Sequence, residues 1–326
     1  MENSSYVFTL SGLNNIRGNK DTYFSLTLLA YLLIIFVNCT LIVTILREKS
    51  LHEPMYILLC NLCVNGLYGT AGLYPKLLAD LLSDTHVIPY TACFLQVFVI
   101  YSSVLCDFST LTVMAYDRYV AICRPLQYHS VITTQAVGKL ILFSWLFPFF
   151  CILVLISLTA RLTLCGSHIE KLYCENWAIV RLSCVPTTTN NVYGYIVIFV
   201  FLAHVFFILY SYVKLIIASS KSREDRGKFM QTCLPHLLTL INFTVALFFD
   251  TMYSRYGTKD FPQSLRNFLA LEFLIIPPLF NPLVYGLKLT QVRRAVLRMF
   301  NKHNSADILL EGNNKHHATI LSNPKR

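Results

Sequence analysis

The sequence predicts an all-α membrane protein: a bundle of seven transmembrane helices followed by a short amphipathic eighth helix. Three observations predict it. Seven long stretches are apolar and almost free of charge, and about 20 such residues suffice for a helix to cross the hydrocarbon core. Only 13% of the 326 residues are charged while 55% are hydrophobic, against about a quarter charged in soluble domains. The basic residues behind the net charge of +10 lie in the short segments between the apolar stretches. They form no exposed stripe, so the composition gives no nucleic-acid partner.

The elements follow in chain order. Residues 1–22 are polar and lack the apolar core and small-residue cleavage site of a signal peptide, so they read as an extracellular tail. Asn3-Ser4-Ser5 is an N-glycosylation acceptor within it. The bundle spans residues 23–289. Its first span is Phe24–Leu46, without a charged residue, and its second is Pro54–Pro75. The third, Thr91–Tyr116, is interrupted only by Asp107; the fourth is Leu140–Ala160 and the fifth Asn191–Val213. The sixth is Phe229–Phe249, and the seventh, Asn267–Leu287, is interrupted only by Glu272. Pro235, Pro277, Pro278 and Pro282 fall in the last two, where proline marks kinks whose freed backbone groups neighbours must satisfy. The acceptor patterns at Asn38 and Asn242 lie inside spans and are read as chance.

Residues 290–300 carry Val292, Ala295, Val296 and Met299 at helical spacing, with Arg293, Arg294 and Arg298 between them. That pattern predicts a helix lying on the inner leaflet, with membrane lipid as its partner. Residues 301–326 form a polar cytoplasmic tail. With the N-terminus outside, 18 of the 27 Lys and Arg residues face the cytoplasm, and the positive-inside rule favours that orientation. Of 11 cysteines, Cys93, Cys165, Cys174 and Cys184 fall near the outer surface, where disulfides persist. Four cysteines allow three pairings. The other seven lie in spans or at their inner ends and read as free thiols.

The specific signals sit at span ends. Met114-Ala115-Tyr116-Asp117-Arg118-Tyr119-Val120-Ala121-Ile122-Cys123 closes the third span, and Leu51-His52-Glu53-Pro54-Met55-Tyr56 opens the second. Pro278-Leu279-Phe280-Asn281-Pro282-Leu283-Val284-Tyr285 closes the seventh, and Ser211-Tyr212 lies near the inner end of the fifth. Together they resemble the rhodopsin-like G-protein-coupled receptors and, within these, the vertebrate odorant receptors, over roughly Tyr23 to Phe300. The block from Lys228 to His236 is similar to a further odorant-receptor motif in degraded form. That departure, with Glu53, suggests a fish-type member.

The resemblance implies a plasma-membrane receptor. It would bind a small extracellular odorant and activate a heterotrimeric G protein of the stimulatory, cyclic-AMP-raising kind. Arg118, between Asp117 and Tyr119, would change partners on activation and face the G protein. Tyr212, Tyr285 and the Asn281-Pro282 kink would support the active arrangement. The resemblance also implies disulfides Cys93–Cys174 and Cys165–Cys184. Most receptors of the superfamily carry a carboxylate in the second span. Here Asn65 and Gly66 stand about there, Asn38 is a buried amide in the first span, and Asp107 is the carboxylate at that depth. Asp107 is expected to take over part of that polar role with Asn65 and Asn281, because an ionisable residue inside a membrane points to function.

The ligand site is expected in the outer half, between the third, fifth, sixth and seventh helices. Helical stepping gives Tyr101, Val104 and Leu105 on the third helix and Ile196 and Val200 on the fifth. The sixth offers Thr244, Leu247, Phe248 and Thr251. The set makes a mostly apolar pocket with a few hydroxyls. Arg255, one turn above Thr251, can hold an anion by charge-assisted bonds, and Glu272 can meet a ligand amine or pair with Arg255.

No catalytic constellation, metal-ligand spacing or phosphate-binding glycine loop appears, so neither enzyme activity nor a cofactor is expected. The chain shows no inverted repeat of the transporter kind. No lysine lies between Asn267 and Leu287 to hold retinal.

Overall fold

The structure, a computed structural model, describes residues 7–13, 19–219, 234–257 and 263–299. Its seven long helices are α1 (Lys20–Arg47), α2 (Pro54–Leu82), α3 (Tyr90–Cys123) and α4 (Thr134–Ala160), then α5 (Thr188–Ser219), α6 (Leu234–Tyr256) and α7 (Gln263–Lys288). An eighth, α8, covers residues 290–299. Among the described residues, α1 to α5 are long and apolar enough to cross a bilayer by themselves. Asn3, the segment 229–233 with its expected span start, and the tail 301–326 lie outside the described residues.

Most helices outrun the apolar stretches that predict them. α3 continues past Tyr116 to Cys123, α4 begins six residues before Leu140, and α2 runs through Pro75 to Leu82. A charge-free run marks only the hydrocarbon core, whereas backbone hydrogen bonding carries a helix on into the headgroup region. Local signals set several ends. Pro54 occupies the first turn of α2, where its missing N–H costs nothing. The Thr133 side chain caps α4 by accepting from the Ala136 N–H at 3.2 Å.

α3 is the hub. Within its apolar window 72% of residues are buried, against 22% in α4 and in α5, so α3 packs inside while those two turn much of their surface to lipid. Small residues let helices approach: a Cβ at Gly69 of α2 would collide with the Ser103 side chain on α3. The turn of α7 that contains Pro282 is tied across the bundle. Pro282 has no N–H to give the carbonyl four residues back. That carbonyl, on Pro278, instead accepts from Asn38 Nδ2 at 2.8 Å.

Over the end that carries the N-terminus, called the outer end after the expected orientation, lies a small sheet that the reading of residues 1–22 as a polar tail did not anticipate. Strand β1 (Val7–Leu10) lies between β2 (Val87–Pro89), antiparallel, and β3 (His168–Ile169), parallel. Side chains alternate along β1, so Phe8 and Leu10 are buried while Val7 and Thr9 face out. Phe8 packs in an apolar cluster with Ile88, Val97, Ile169 and Ile179. At the other end of the bundle, α8 buries Val292 and Ala295 and exposes Arg293, Arg294 and Arg298.

Candidate functional site

Two groups of polar residues lie at opposite ends of the bundle, with a cavity beneath the outer one. The cavity has a volume of about 100 Å³. From α3 it takes Tyr101, Val104 and Leu105, and from α6 Leu247, Phe248, Thr251 and Arg255. Helical stepping gave these positions but not Met252 of α6, which also lines the space, and it gave Thr244, which is half-buried and does not. On α5 the cavity meets Gly194, Val197, Ile198 and Phe201. Ile196 is 50% exposed on the outer side of α5, and Val200 does not line the cavity. Each residue turns a helix face by about 100°, so a phase error of one residue swaps lining and lipid-facing positions. α4 contributes Ile152 and Leu155. No described residue of α7 takes part, and Glu272 lies away from the cavity.

The roof comes from the loop between α4 and α5. Cys174 is disulfide-bonded to Cys93 at the start of α3, and Cys165 to Cys184 within the loop. The first bond fixes the loop against α3, and the Cys174 N–H donates to Gln96 Oε1 at 2.9 Å. The loop then inserts Glu175, Asn176 and Trp177 into the lining. Arg255 stacks over Trp177, with its guanidinium carbon 4.5 Å from the ring centroid, and lies 5.0 Å from the Tyr195 ring. Such cation–π contacts are worth about 0.5–2 kcal/mol. Gly194 makes the room, because a Cβ there would run into the guanidinium. The pairing of Arg255 with Glu272 is not formed: aromatic faces hold the guanidinium instead. The Trp177 Nε1–H is buried without a hydrogen-bond partner among the described residues.

Beside this roof lies a charged cluster that span-by-span reading missed. Lys171 Nζ sits 2.9 Å from Glu175 Oε2 and 3.2 Å from Asp250 Oδ1, and it donates to Ser254 Oγ at 2.7 Å. Tyr173 also hydrogen-bonds Asp250. Burial works to lower the Lys171 pKa, but the charges of Glu175 and Asp250 outweigh it and hold the ammonium above its ordinary value. Burial, reinforced by the charge of Asp250, pushes the Tyr173 hydroxyl far up. The cluster therefore carries a charged lysine and a neutral phenol, and it ties the loop to the outer end of α6. The only sequence signal was Asp250, a carboxylate just past the charge-free run Phe229–Phe249.

In the middle of the bundle, Asn65 Nδ2 donates to Asp107 Oδ1 at 2.7 Å and to the Ser103 carbonyl at 2.8 Å. Asn281 is buried, but its Oδ1 has no hydrogen-bond partner among the described residues. The polar core is thus drawn from α2 and α3, while Asn38 serves the α7 backbone. Below the cavity, Phe108 stacks on Phe243 with centroids 4.7 Å apart and meets Phe201 edge-on at 4.5 Å, joining α3, α5 and α6.

At the inner end, Asp117 is buried and both its oxygens are occupied. Arg118 donates to Oδ2 from Nε at 2.8 Å and also from Nη2. Tyr128, on a one-turn helix Tyr128–Val131, donates to Oδ1 at 2.8 Å. Burial and the Asp117 charge raise the Tyr128 hydroxyl well above its ordinary value, so it remains a donor. Tyr212 and Tyr285 are buried at this end, and Tyr119 is half-buried with its ring near Arg124. Tyr56 of α2 donates to Gln291 of α8 at 2.8 Å.

The family model for "Olfactory receptor" matches residues 27–303. Human olfactory receptor 51B5 is 32% identical over 304 residues, covering 92% of this chain and 97% of the relative. Human olfactory receptor 52B2 is 34% identical over 299 residues, covering 90% and 92%. These relatives are human and lend no support to a fish-type member. Among solved structures, squid rhodopsin superposes with a TM-score of 0.72 at 14% identity, covering 86% of each chain, which shows the seven-transmembrane fold. With that fold, the family model and these relatives together, the chain belongs to the olfactory receptor family, a family of multi-pass membrane receptors rather than enzymes.

Proposed function

We propose that the chain binds a small extracellular odorant between α3, α4, α5 and α6. In response it activates a heterotrimeric G protein, of the stimulatory, cyclic-AMP-raising kind, at its cytoplasmic face. On this reading residues 1–22 lie outside, 23–289 form the membrane bundle, 290–300 rest on the inner leaflet and 301–326 reach into the cytoplasm.

The observation that carries the reading is the cavity under the outer loop. Its volume of about 100 Å³ is of the order of the about 150 Å³ apolar cavity that takes benzene, so the ligand is small. The walls are aliphatic and aromatic. The lining also carries the Thr251 hydroxyl and the Arg255 guanidinium from α6, while the Glu175 carboxylate of the roof is held by Lys171. An apolar molecule with one acceptor group suits that division, and a carboxylate makes the strongest contact with Arg255.

The ligand acts by binding the active arrangement more tightly than the resting one. Thr251 and Arg255 belong to α6, as does Asp250 of the outer cluster, so ligand contacts bear directly on that helix. Movement of its inner end opens the space around Arg118. Arg118 then leaves Asp117 for the G protein, with Tyr212 and Tyr285 supporting the new arrangement and the Asn281-Pro282 kink admitting it.

The test is cyclic-AMP output from cells expressing the chain, screened against small acids, amines, amino acids and neutral odorants. Arg118→Ala at equal surface level is the control. The proposal expects a response that this variant abolishes. A response that survives Arg118→Ala, or silence from well-expressed protein across the panel, would count against it.

A further inference from the structure

At the inner end of the bundle, α1, α7 and α8 leave a groove of about 250 Å³ open to the membrane side. Val37 and Leu41 of α1 form one wall, and Val296 and Leu297 of α8 the other. Pro282 and Gly286 of α7 make the floor. The space above Gly286 is open: a Cβ there would have Leu41 Cδ1 as its nearest neighbour, at 3.9 Å. Leu297 is 56% exposed, so its free face is turned to hydrocarbon.

One lining residue is charged. Arg293 is exposed and has no ion-pair partner among the described residues. Arg298, five residues on, lies 3.8 Å from Glu48 and is partly neutralised. An apolar groove with an uncompensated guanidinium at its mouth has the chemistry of one occupant, a hydrocarbon chain ending in an anion. The inner leaflet is rich in anionic lipid, and a basic side chain near its surface attracts it.

From these observations we propose that this groove binds one acyl chain of an anionic phospholipid whose headgroup rests on Arg293. The chain then packs directly against Pro282, the kink beside Asn281. The lipid therefore bears on the part of α7 that, on the functional reading above, moves during activation. A sterol would fill the groove but leave Arg293 without a counter-charge.

The purified full chain, exchanged in detergent into equimolar phosphatidylserine and phosphatidylcholine of identical chains, tests this by native mass spectrometry. Detergent exchange makes the result independent of orientation and of G-protein coupling, so failure here is distinct from failure of the functional reading. The expected result is about five-fold preferential retention of phosphatidylserine, the effect of one basic residue at a lipid surface. Arg293→Gln brings the ratio to about one, while Gly286→Leu from the floor and Val37→Phe from the wall lower retention of both lipids. Equal retention of the two lipids by the unaltered chain overturns the proposal. So does a preference that Arg293→Gln leaves intact, retention that neither filling variant reduces, or cholesterol displacing both phospholipids.

Discussion

The outer and inner ends of the bundle both bury charge, but they assemble it from different parts of the chain. At the inner end Asp117 is satisfied by Arg118, its neighbour, and by Tyr128, 11 positions on. At the outer end Lys171 reaches Asp250 across 79 positions and Ser254 across 83, and Asn267 donates to the Gly12 carbonyl across 255. The inner group is a local motif on one helix and its following loop. The outer group exists only once a disulfide-held loop, the N-terminal strand and α6 have come together. A local group can switch partners without disturbing the fold, which suits a coupling face. A long-range group fixes the shape of a cavity, which suits ligand selection.

Removing the pin of the outer group carries the largest expected effect. Cys93→Ser opens a bridge between residues 81 positions apart. Losing a native disulfide costs about 2–5 kcal/mol, enough to keep the chain from the cell surface. Flow cytometry of an epitope-tagged chain checks this, and normal surface levels would show that the outer half does not depend on the bridge.

Lys171→Ala comes next. It leaves the buried Glu175 and Asp250 carboxylates without their shared cation, at about 3 kcal/mol, and lowers the melting temperature of the purified chain. Adding Asp250→Asn should recover part of that loss, because the two sites share one network. A double variant no better than the single would break the account of the cluster.

At the inner end the expected effect is smaller and of another kind. Tyr128→Phe removes one hydrogen bond to a carboxylate, about 1.5 kcal/mol. It should raise basal cyclic AMP with little change in melting temperature. A fall in stability without a change in basal signalling would mean that the inner group, too, is structural.

The smallest effect is a pH dependence of the outer half. The folded-state pKa of Lys171 is raised against Glu175 and Asp250. Its contribution is therefore fully present below the ordinary lysine value of about 10.4 and is lost as pH climbs through the higher folded value. Melting temperatures measured from pH 7 to pH 11 should show a late alkaline loss in the unaltered chain that is absent in Lys171→Ala.

The same contrast explains what could be read from the sequence. The seven helices were legible because each announces itself in a run of consecutive apolar residues, and α8 because its arginines and aliphatics alternate at helical spacing. The Asp117–Arg118 pair was legible because the two are adjacent within one motif, whereas Tyr128, in the loop that follows, was not. Lys171 was not, since nothing in a loop sequence says that its ammonium will meet a carboxylate on α6. β1 was missed because a four-residue strand has meaning only beside partners at residues 87–89 and 168–169. On α5, helical stepping chose Ile196 and Val200 where Val197 and Phe201 line the cavity. Spacing gives the period of a helix, whereas its rotation about its own axis is set by packing against α3 and α4.

The central claim is that the outer half selects the ligand while the inner half sets the coupling. Concentration–response curves in cyclic AMP test it most directly, using the strongest agonist from the screen on three chains at matched surface level: unaltered, Leu105→Phe and Tyr128→Phe. The account predicts that Leu105→Phe, which fills the cavity, shifts the half-maximal concentration by about ten-fold or more and leaves basal output unchanged. It predicts that Tyr128→Phe raises basal output and preserves the rank order of agonists. An unshifted curve for Leu105→Phe, or a reordering of agonists by Tyr128→Phe, would contradict it.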